Sequence, residues 1–259
     1  MRLKVIAKRG IATLAVGLGL TSLSHWLRVQ VFGRPRITIL CYHKITADGG
    51  LISPQCIPPA MFEEQMRYLA GHYRILTLDQ VAEYLHGELE LLEDAFVVTF
   101  DDGYQDNFTD ALPILSRHGV SACFFVASAP LLAGEPYWID TLSARLEALH
   151  GTDATVSLPA MPEIAQQING FISAPAQDRR LQAKSVFLAL NQLKELQKHT
   201  VLAALRAVCQ ATGAKAINTP ALVTAEQLTE MAQAGQQIGA HTVSHPRLSN
   251  LGPEEVESE

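Results

Sequence analysis

Apolar residues fall in this chain into short continuous runs, separated by segments in which they recur every three or four positions. That alternation predicts buried parallel strands joined by amphipathic helices. The run Ala95–Phe100 (AFVVTF) is continuous and rich in Val and Phe, which suits a central strand covered on both faces. Ile37–Tyr42, Tyr73–Leu76, Val120–Ala127 and Gln236–Ala240 read as further strands. Helices are expected at Ala60–Ala70, ended by Gly71, and at Leu78–His86, where Thr77 and Gln80 form a capping box. Asn107–His118 is expected to be helical with a bend at Pro113. Thr224 and Gln227 box the start of a helix over Ala225–Ala234, which Gly235 can end.

Residues 140 to 218 break this rhythm. Asp140–His150 and Asp178–Thr212 read as helix-rich stretches, the second with Leu181, Phe187, Leu190, Leu193, Leu202 and Leu205 near helical spacing and a restart expected at Thr200. A polar, Pro-containing linker is expected between them. Together they form a helical insertion, self-packed or covering one edge of a substrate groove.

Two short motifs carry the chemistry. Thr99–Tyr104 (TFDDGY) places Asp101 and Asp102 at the carboxyl end of the central strand, the end where α/β folds build their sites. Neighbouring strand residues face opposite ways, so a sharp turn at Gly103 is needed to bring both carboxylates into one cavity. His241–Pro246 (HTVSHP) follows the last strand, and a spacing of four puts His241 and His245 on one side of a turn that Pro246 discourages from continuing as helix. Each motif has an ordinary reading: an Asp-Asp-Gly turn, a surface or packed His pair, and Thr242 and Ser244 as loop-pinning hydroxyls. Jointly they supply the ligand set of a three-residue metal site holding a reactive water. His43, ending the first strand, is equally suited to meeting substrate or satisfying a carbonyl; Tyr137 and Trp138 suit sugar stacking or core packing.

TFDDGY and HTVSHP resemble the first and second motifs of the polysaccharide deacetylases, the NodB-homology family. Ile37–His43, Asn107–Ala127 and Leu228–Leu248 resemble the elements around those motifs, so the likeness spans residues 37 to 259 with a variable middle. The resemblance implies an α/β fold, a distorted, incomplete (β/α) barrel with a helical insertion, that removes acetyl groups from N-acetylated glycans with a divalent metal, zinc foremost. Carried over by position, Asp101 is the general base and Asp102, His241 and His245 the metal ligands. Family members complete the site after the second motif with an Arg, an oxyanion loop and a late His, and the chain is expected to lack that part. Gly252–Glu255 reads as a helix start with Pro253 at its first position. A catalytically incomplete module that binds metal or glycan is therefore the alternative to a working hydrolase. A two-metal phosphoesterase ranks last, for want of further carboxylates.

Composition narrows the partners. At 259 residues with 48% apolar content, one large domain over residues 31 to 259 is the expectation. A net charge of -6 with no basic cluster beyond the N-terminus argues against nucleic acid. Arg2, Lys4, Lys8 and Arg9 precede apolar Ile11–Leu23, so residues 1 to 30 read as a signal peptide or an uncleaved membrane anchor, with an amphipathic helix as the plain alternative. The favoured location is extracytoplasmic. Cys41, Cys56, Cys123 and Cys209 lack CxxC spacing and read as free, buried thiols, with a Cys41–Cys56 bridge given little weight.

Overall fold

The computed structural model describes residues 35–47, 51–52, 55–215 and 217–259; the N-terminal signal or anchor segment lies outside them. Five parallel strands form one sheet: β1 Ile37–Tyr42, β2 Arg74–Ile75, β3 Ala95–Phe100, β4 Ala122–Val126 and β5 Gln237–Ala240. β1 runs along one whole edge of β3, from Ile37 opposite Ala95 to Tyr42 opposite Phe100. The other edge of β3 is shared, its start by β2 and its end by β4, and β5 extends the sheet beyond β4. β3 is the central strand its sequence predicts. No pairing joins β5 back to β1 among the described residues, so the sheet is an open, incomplete barrel rather than a closed one.

Alternation along the strands separates two faces. Leu40, Tyr42, Val98, Phe100, Ala122 and Phe124 point to a core covered by α1 Pro59–His72 and α3 Leu112–Arg117. The Phe100 and Phe124 rings stack at 4.6 Å, and Phe62 meets both Tyr42 and Phe100 edge-on. Ile37, Ala95 and Val97 face the other way, where α2 Leu78–His86 covers the amino ends of the strands with Val81 and Tyr84. Gln237 fastens that helix to β5: its Oε1 accepts from Leu78 N–H and its Nε2 donates to Asp79. Upper positions of this face stay open, and Ile39 is 54% exposed.

Local chemistry explains most element ends, and some differ from expectation. α2 carries the capping box of Thr77 and Gln80 at the predicted bounds. α1 runs through Gly71 to His72, because Tyr73 itself turns extended to enter β2 while its N–H still reaches Leu69 O. Before Pro113 the chain makes a π-helical turn, Asn107–Ala111, in which Leu112 N–H bonds Asn107 O; the wider turn accommodates a ring that cannot donate.

The insertion contains more helix than expected. α4 Ser128–Ala133 precedes α5 Trp138–Leu149, and the supposed linker holds α6 Pro162–Ile172. α7 Arg179–Leu190 and α8 Glu195–Thr212 break at 191–194, while Thr200 sits inside α8 with its hydroxyl returned to Leu196 O. These helices build their own core from Leu142, Leu146, Leu149, Ile168, Phe171, Val186 and Val201. Lys198, 2% exposed, is kept there by Glu195 at 2.7 Å and the Trp138 ring at 4.7 Å. Self-packing is thus what its Leu-rich spacing describes. α9 Ala225–Gln233 carries the predicted box and returns the chain to β5. α10 Pro253–Ser258 begins at Gly252 as read.

All four cysteines are free, and Cys41 and Cys56 are unbridged. Only Cys123 is buried; Cys41 is exposed because it lies on the open face of β1.

Leu146 is fully buried at the centre of the insertion core. Leu146→Ala should cost about 2–5 kcal/mol in urea unfolding, the usual range for a cavity left in a tight core.

Candidate metal centre at the carboxyl ends of the strands

Both motifs emerge from strand ends that face the same rim. Asp101 N–H bonds Tyr42 O and His241 N–H bonds Val126 O, so each motif begins as a continuation of the sheet ladder. Among the described residues the non-glycine positions with positive φ are Asp102 (75°), Thr242 (67°) and His245 (60°), and all three lie here. Asp and His are among the side chains that tolerate left-handed backbone, whereas β-branched Thr242 is strained there, and such strain concentrates where geometry is needed for function. Gly103 follows at φ 63°; a Cβ there would stand 2.6 Å from Val126 Cγ1. Close packing as well as backbone freedom demands glycine.

The turn is pinned from several sides. Val223 N–H bonds Gly103 O, Gln105 N–H bonds Ala221 O, and Tyr137 OH donates to Asp102 O at 2.7 Å. In the second motif His245 N–H bonds Thr242 Oγ1, the pinning role read for that hydroxyl. Ser128 and Ala129 N–H groups bond the carbonyls of Thr242 and Val243. Glu259 adds what the motif alone could not reveal. Its carboxylate accepts from Val243 N–H at 3.0 Å, Ser244 N–H at 2.8 Å and Ser244 Oγ.

The result places Asp102 Oδ1 at 3.1 Å from His245 Nε2 and 3.5 Å from His241 Nε2. Donors in a tetrahedral shell with bonds of 2.0–2.2 Å lie about 3.4 Å apart, and the observed spacings bracket that value. Asp102 is 8% exposed, and its Oδ1 makes no hydrogen bond. A short but misaligned approach of two ring nitrogens to an unsatisfied carboxylate oxygen is the arrangement expected of atoms directing lone pairs toward one cation. Burial works to raise the Asp102 pKa, but contact with His245 and the nearby His43 and His241 rings outweigh it, leaving the group below the ordinary Asp value.

Asp101 goes to a neighbouring cluster rather than to the same one. Its Oδ2 accepts from Cys41 Sγ at 3.1 Å, and His43 Nδ1 stands 3.9 Å from that sulfur. Partial desolvation of the sulfur against its neighbours and the Asp101 carboxylate push the Cys41 thiol up to about 12, so the S–H is retained as donor. His43 therefore stands beside Asp101 on this rim, with its Nδ1 toward the Cys41 sulfur.

Behind the turn lies a buried polar chain that the sequence did not signal. Lys44 Nζ contacts Asp140 Oδ1 at 2.6 Å, both residues 4% exposed, and lies 4.1 Å from the Tyr104 ring centre. Tyr104 OH donates to Asp140 Oδ2 at 2.9 Å, and the Tyr104 ring meets Tyr137 edge-on. The Tyr137 ring packs 4.5 Å from His245. Tyr137 is thus a buried support of the site, and Trp138 is packed on Phe187 in the insertion.

Residues 90–152 and 187–259, together just over half of the chain, match the family model described as polysaccharide deacetylase. The chain belongs to the polysaccharide deacetylase family. A curated relative, YxkH of Bacillus subtilis (strain 168), which carries a provisional polysaccharide deacetylase name, is 26% identical over 166 residues. That match covers 63% of this chain and 55% of the relative, so the chain spans little more than half of that protein's length. Among solved structures, the Streptococcus pyogenes deacetylase PplD in complex with acetate aligns at TM-score 0.46 and 17% identity, covering 87% of this chain and 63% of that one. A de-N-acetylase from Aggregatibacter actinomycetemcomitans aligns at TM-score 0.40 and 18% identity, covering 80% and 54%. The family model skips residues 153–186, which hold α6 and the start of α7 in the self-packed insertion.

Two stability measurements test the support of this deacetylase-family site. Lys44→Met leaves the Asp140 charge buried and should cost about 3–5 kcal/mol in urea unfolding at pH 7, while the double variant Lys44→Met with Asp140→Leu should recover most of it. Asp106, beside the Lys44 segment, is pushed up to about 6, chiefly by burial. Its folded value exceeds its unfolded 3.8, so the folded chain holds the proton more tightly and loses stability as pH rises through 6. Asp106→Asn should therefore gain roughly 1–3 kcal/mol over the parent at pH 8 and nothing below pH 4, read as paired denaturation curves.

Proposed function

We propose that this protein is a metal-dependent N-deacetylase of a polysaccharide, with Asp102, His241 and His245 as metal ligands and Asp101 as the general base. The observation that carries the reading is the buried, hydrogen-bond-free Asp102 Oδ1 facing two ring nitrogens within 3.5 Å. Two imidazoles and one carboxylate with open positions favour zinc over magnesium or calcium. Bound there, the ion supplies Lewis acidity toward the acetamide carbonyl and lowers the pKa of water to about 7.

The chain's own residues do the rest. Asp102, held by its neighbours in the charged form, anchors the cation and leaves Asp101 free to act beside it. Asp101 takes the proton of the attacking water as the C–O bond to the acetyl carbon forms and the carbonyl π pair moves to its oxygen; as that carbonyl re-forms, the C–N bond breaks and Asp101 returns the proton to the leaving amine, which frees acetate. Tyr137 fixes the Asp102 carbonyl and so holds the Asp102–Gly103 peptide of the turn that follows the two carboxylates. The exposed upper face of the sheet leaves room for a neutral glycan with its N-acetyl group directed at the rim. Family membership supports the substrate class. The basic and apolar N-terminal segment supports an extracytoplasmic site of action with a membrane tether or a cleaved leader.

A second reading, a module that binds metal or glycan without hydrolysis, is favoured by the Asp101 carboxylate being engaged by the Cys41 thiol at 3.1 Å rather than facing the Asp102 cluster. Acetate release from N-acetylglucosamine oligomers separates the two. Metal-dependent release, lowered about 10²–10⁴-fold by Asp101→Asn, is expected for the enzyme. Oligomer binding without any release marks the binding module instead. The tightest-bound equivalent of zinc should disappear on Ala substitution of Asp102, His241 and His245 together; its retention would overturn the ligand assignment.

A further inference from the structure

Next to the Asp102 cluster stands a second convergence of donor atoms with a different chemistry. Cys41 and His43 are two residues apart, so they share the open face of β1 and its extension, and Asp101 continues the paired strand β3 opposite. The Cys41 sulfur, a His43 ring nitrogen and an Asp101 oxygen all lie within 4.8 Å of one another. Two of the separations are 3.1 Å, sulfur to Asp101 Oδ2, and 3.9 Å, sulfur to His43 Nδ1. In a tetrahedral shell with a bond of 2.3 Å to sulfur and 2.0–2.1 Å to nitrogen or oxygen, such separations are about 3.6 Å. Sub-ångström side-chain movement meets that value. Cys41 is exposed and its partners are half-buried, so an ion reaches the group without unfolding the strand ends.

We propose that Cys41, His43 and Asp101 form a second cation site, selective for thiophilic divalent ions such as zinc, cadmium and cobalt. A thiolate and an imidazole prefer these ions over magnesium, calcium and manganese, which seek oxygen ligands. Binding replaces the S–H···Oδ2 hydrogen bond with two coordinate bonds, and the thiol proton passes to solvent. The fourth position remains for water. The functional consequence rests on the proposed deacetylase reading. An ion held by Asp101 removes the carboxylate that would accept the water's proton, so the second equivalent of zinc inhibits. Metal supply above the first site's need becomes a brake on turnover.

Cobalt titration of the whole chain tests the site without reference to activity. Coordination by sulfur gives a thiolate-to-cobalt charge-transfer band in the near ultraviolet. The parent should take up two equivalents in equilibrium dialysis and develop the band with one of them. Cys41→Ser should lose one equivalent and the band. The Asp102→Ala, His241→Ala, His245→Ala triple variant should keep one equivalent with the band. A parent that binds one equivalent without the band overturns the proposal, as does a band that persists in Cys41→Ser, since another cysteine would then be the ligand. The parent against Cys41→Ser comparison decides the matter even if the triple variant fails to fold. In acetate release, zinc beyond the first equivalent should inhibit the parent at concentrations at least tenfold lower than Cys41→Ser, each scaled to its own uninhibited rate. Equal sensitivity removes the inhibitory role. A band without any acetate release leaves the second site standing and rejects the deacetylase reading alone.

Discussion

A carboxylate taken out of water needs a counter-charge, and the groups that approach the unsatisfied Asp102 oxygen are the ring nitrogens of His241 and His245. Its burial, the unsatisfied Oδ1 and the approach of His241 and His245 are parts of a single constraint. The chain meets that constraint with left-handed backbone at Asp102, Thr242 and His245, strained at the β-branched Thr242, and the surrounding loops over-determine those conformations. Left-handed turns of this kind persist because Val223 N–H and Tyr137 OH donate to the first turn while Thr242 Oγ1 and the Glu259 carboxylate accept from the second.

Support for the site extends into the insertion. Tyr137 and Asp140 stand at the start of α5, whose far side packs into the separate helical core, while their polar atoms reach the Asp102 carbonyl and the Lys44–Tyr104 pair. The insertion is therefore more than a self-contained bundle on the rim. One helix end converts its packing energy into a fixed position for the turn that carries both aspartates.

What could be read in advance follows the physics of each feature. Continuous apolar runs, capping boxes and the glycine after the aspartates are local signals, and β1, β3, α2 and α9 lie at or near their expected bounds. The two motifs could be joined because both end parallel strands, which fixes them to one rim. The Lys44–Asp140 pair, separated by 96 residues, had no local signature: a lone lysine and a lone aspartate look alike whether they meet in the core or in solvent. α6 was missed because its polar and Pro-containing surroundings suggested a loop, although Pro162 sits at a first turn where proline is tolerated. Exposure of Cys41 followed from the open face of the sheet, a property of what does not pair rather than of the cysteine itself.

Adjacent aspartates at the end of one strand would ordinarily face opposite sides, and the turn at Gly103 was expected to gather both into one cavity. The positive φ of Asp102 does something subtler. It swings the Asp102 carboxylate into the loop of the two histidines and leaves Asp101 on the side of Cys41 and His43. In the proposed deacetylase a residue that anchors a cation and a residue that moves a proton have opposite needs: the first must stay charged and immobile, the second must remain accessible and exchange its proton. Splitting the pair between a buried cluster and a half-exposed one satisfies both with a single peptide bond between them. The same split puts a thiol 3.1 Å from the accessible carboxylate, so on the proposed reading the feature that frees Asp101 for proton transfer also exposes it to capture by a thiophilic ion.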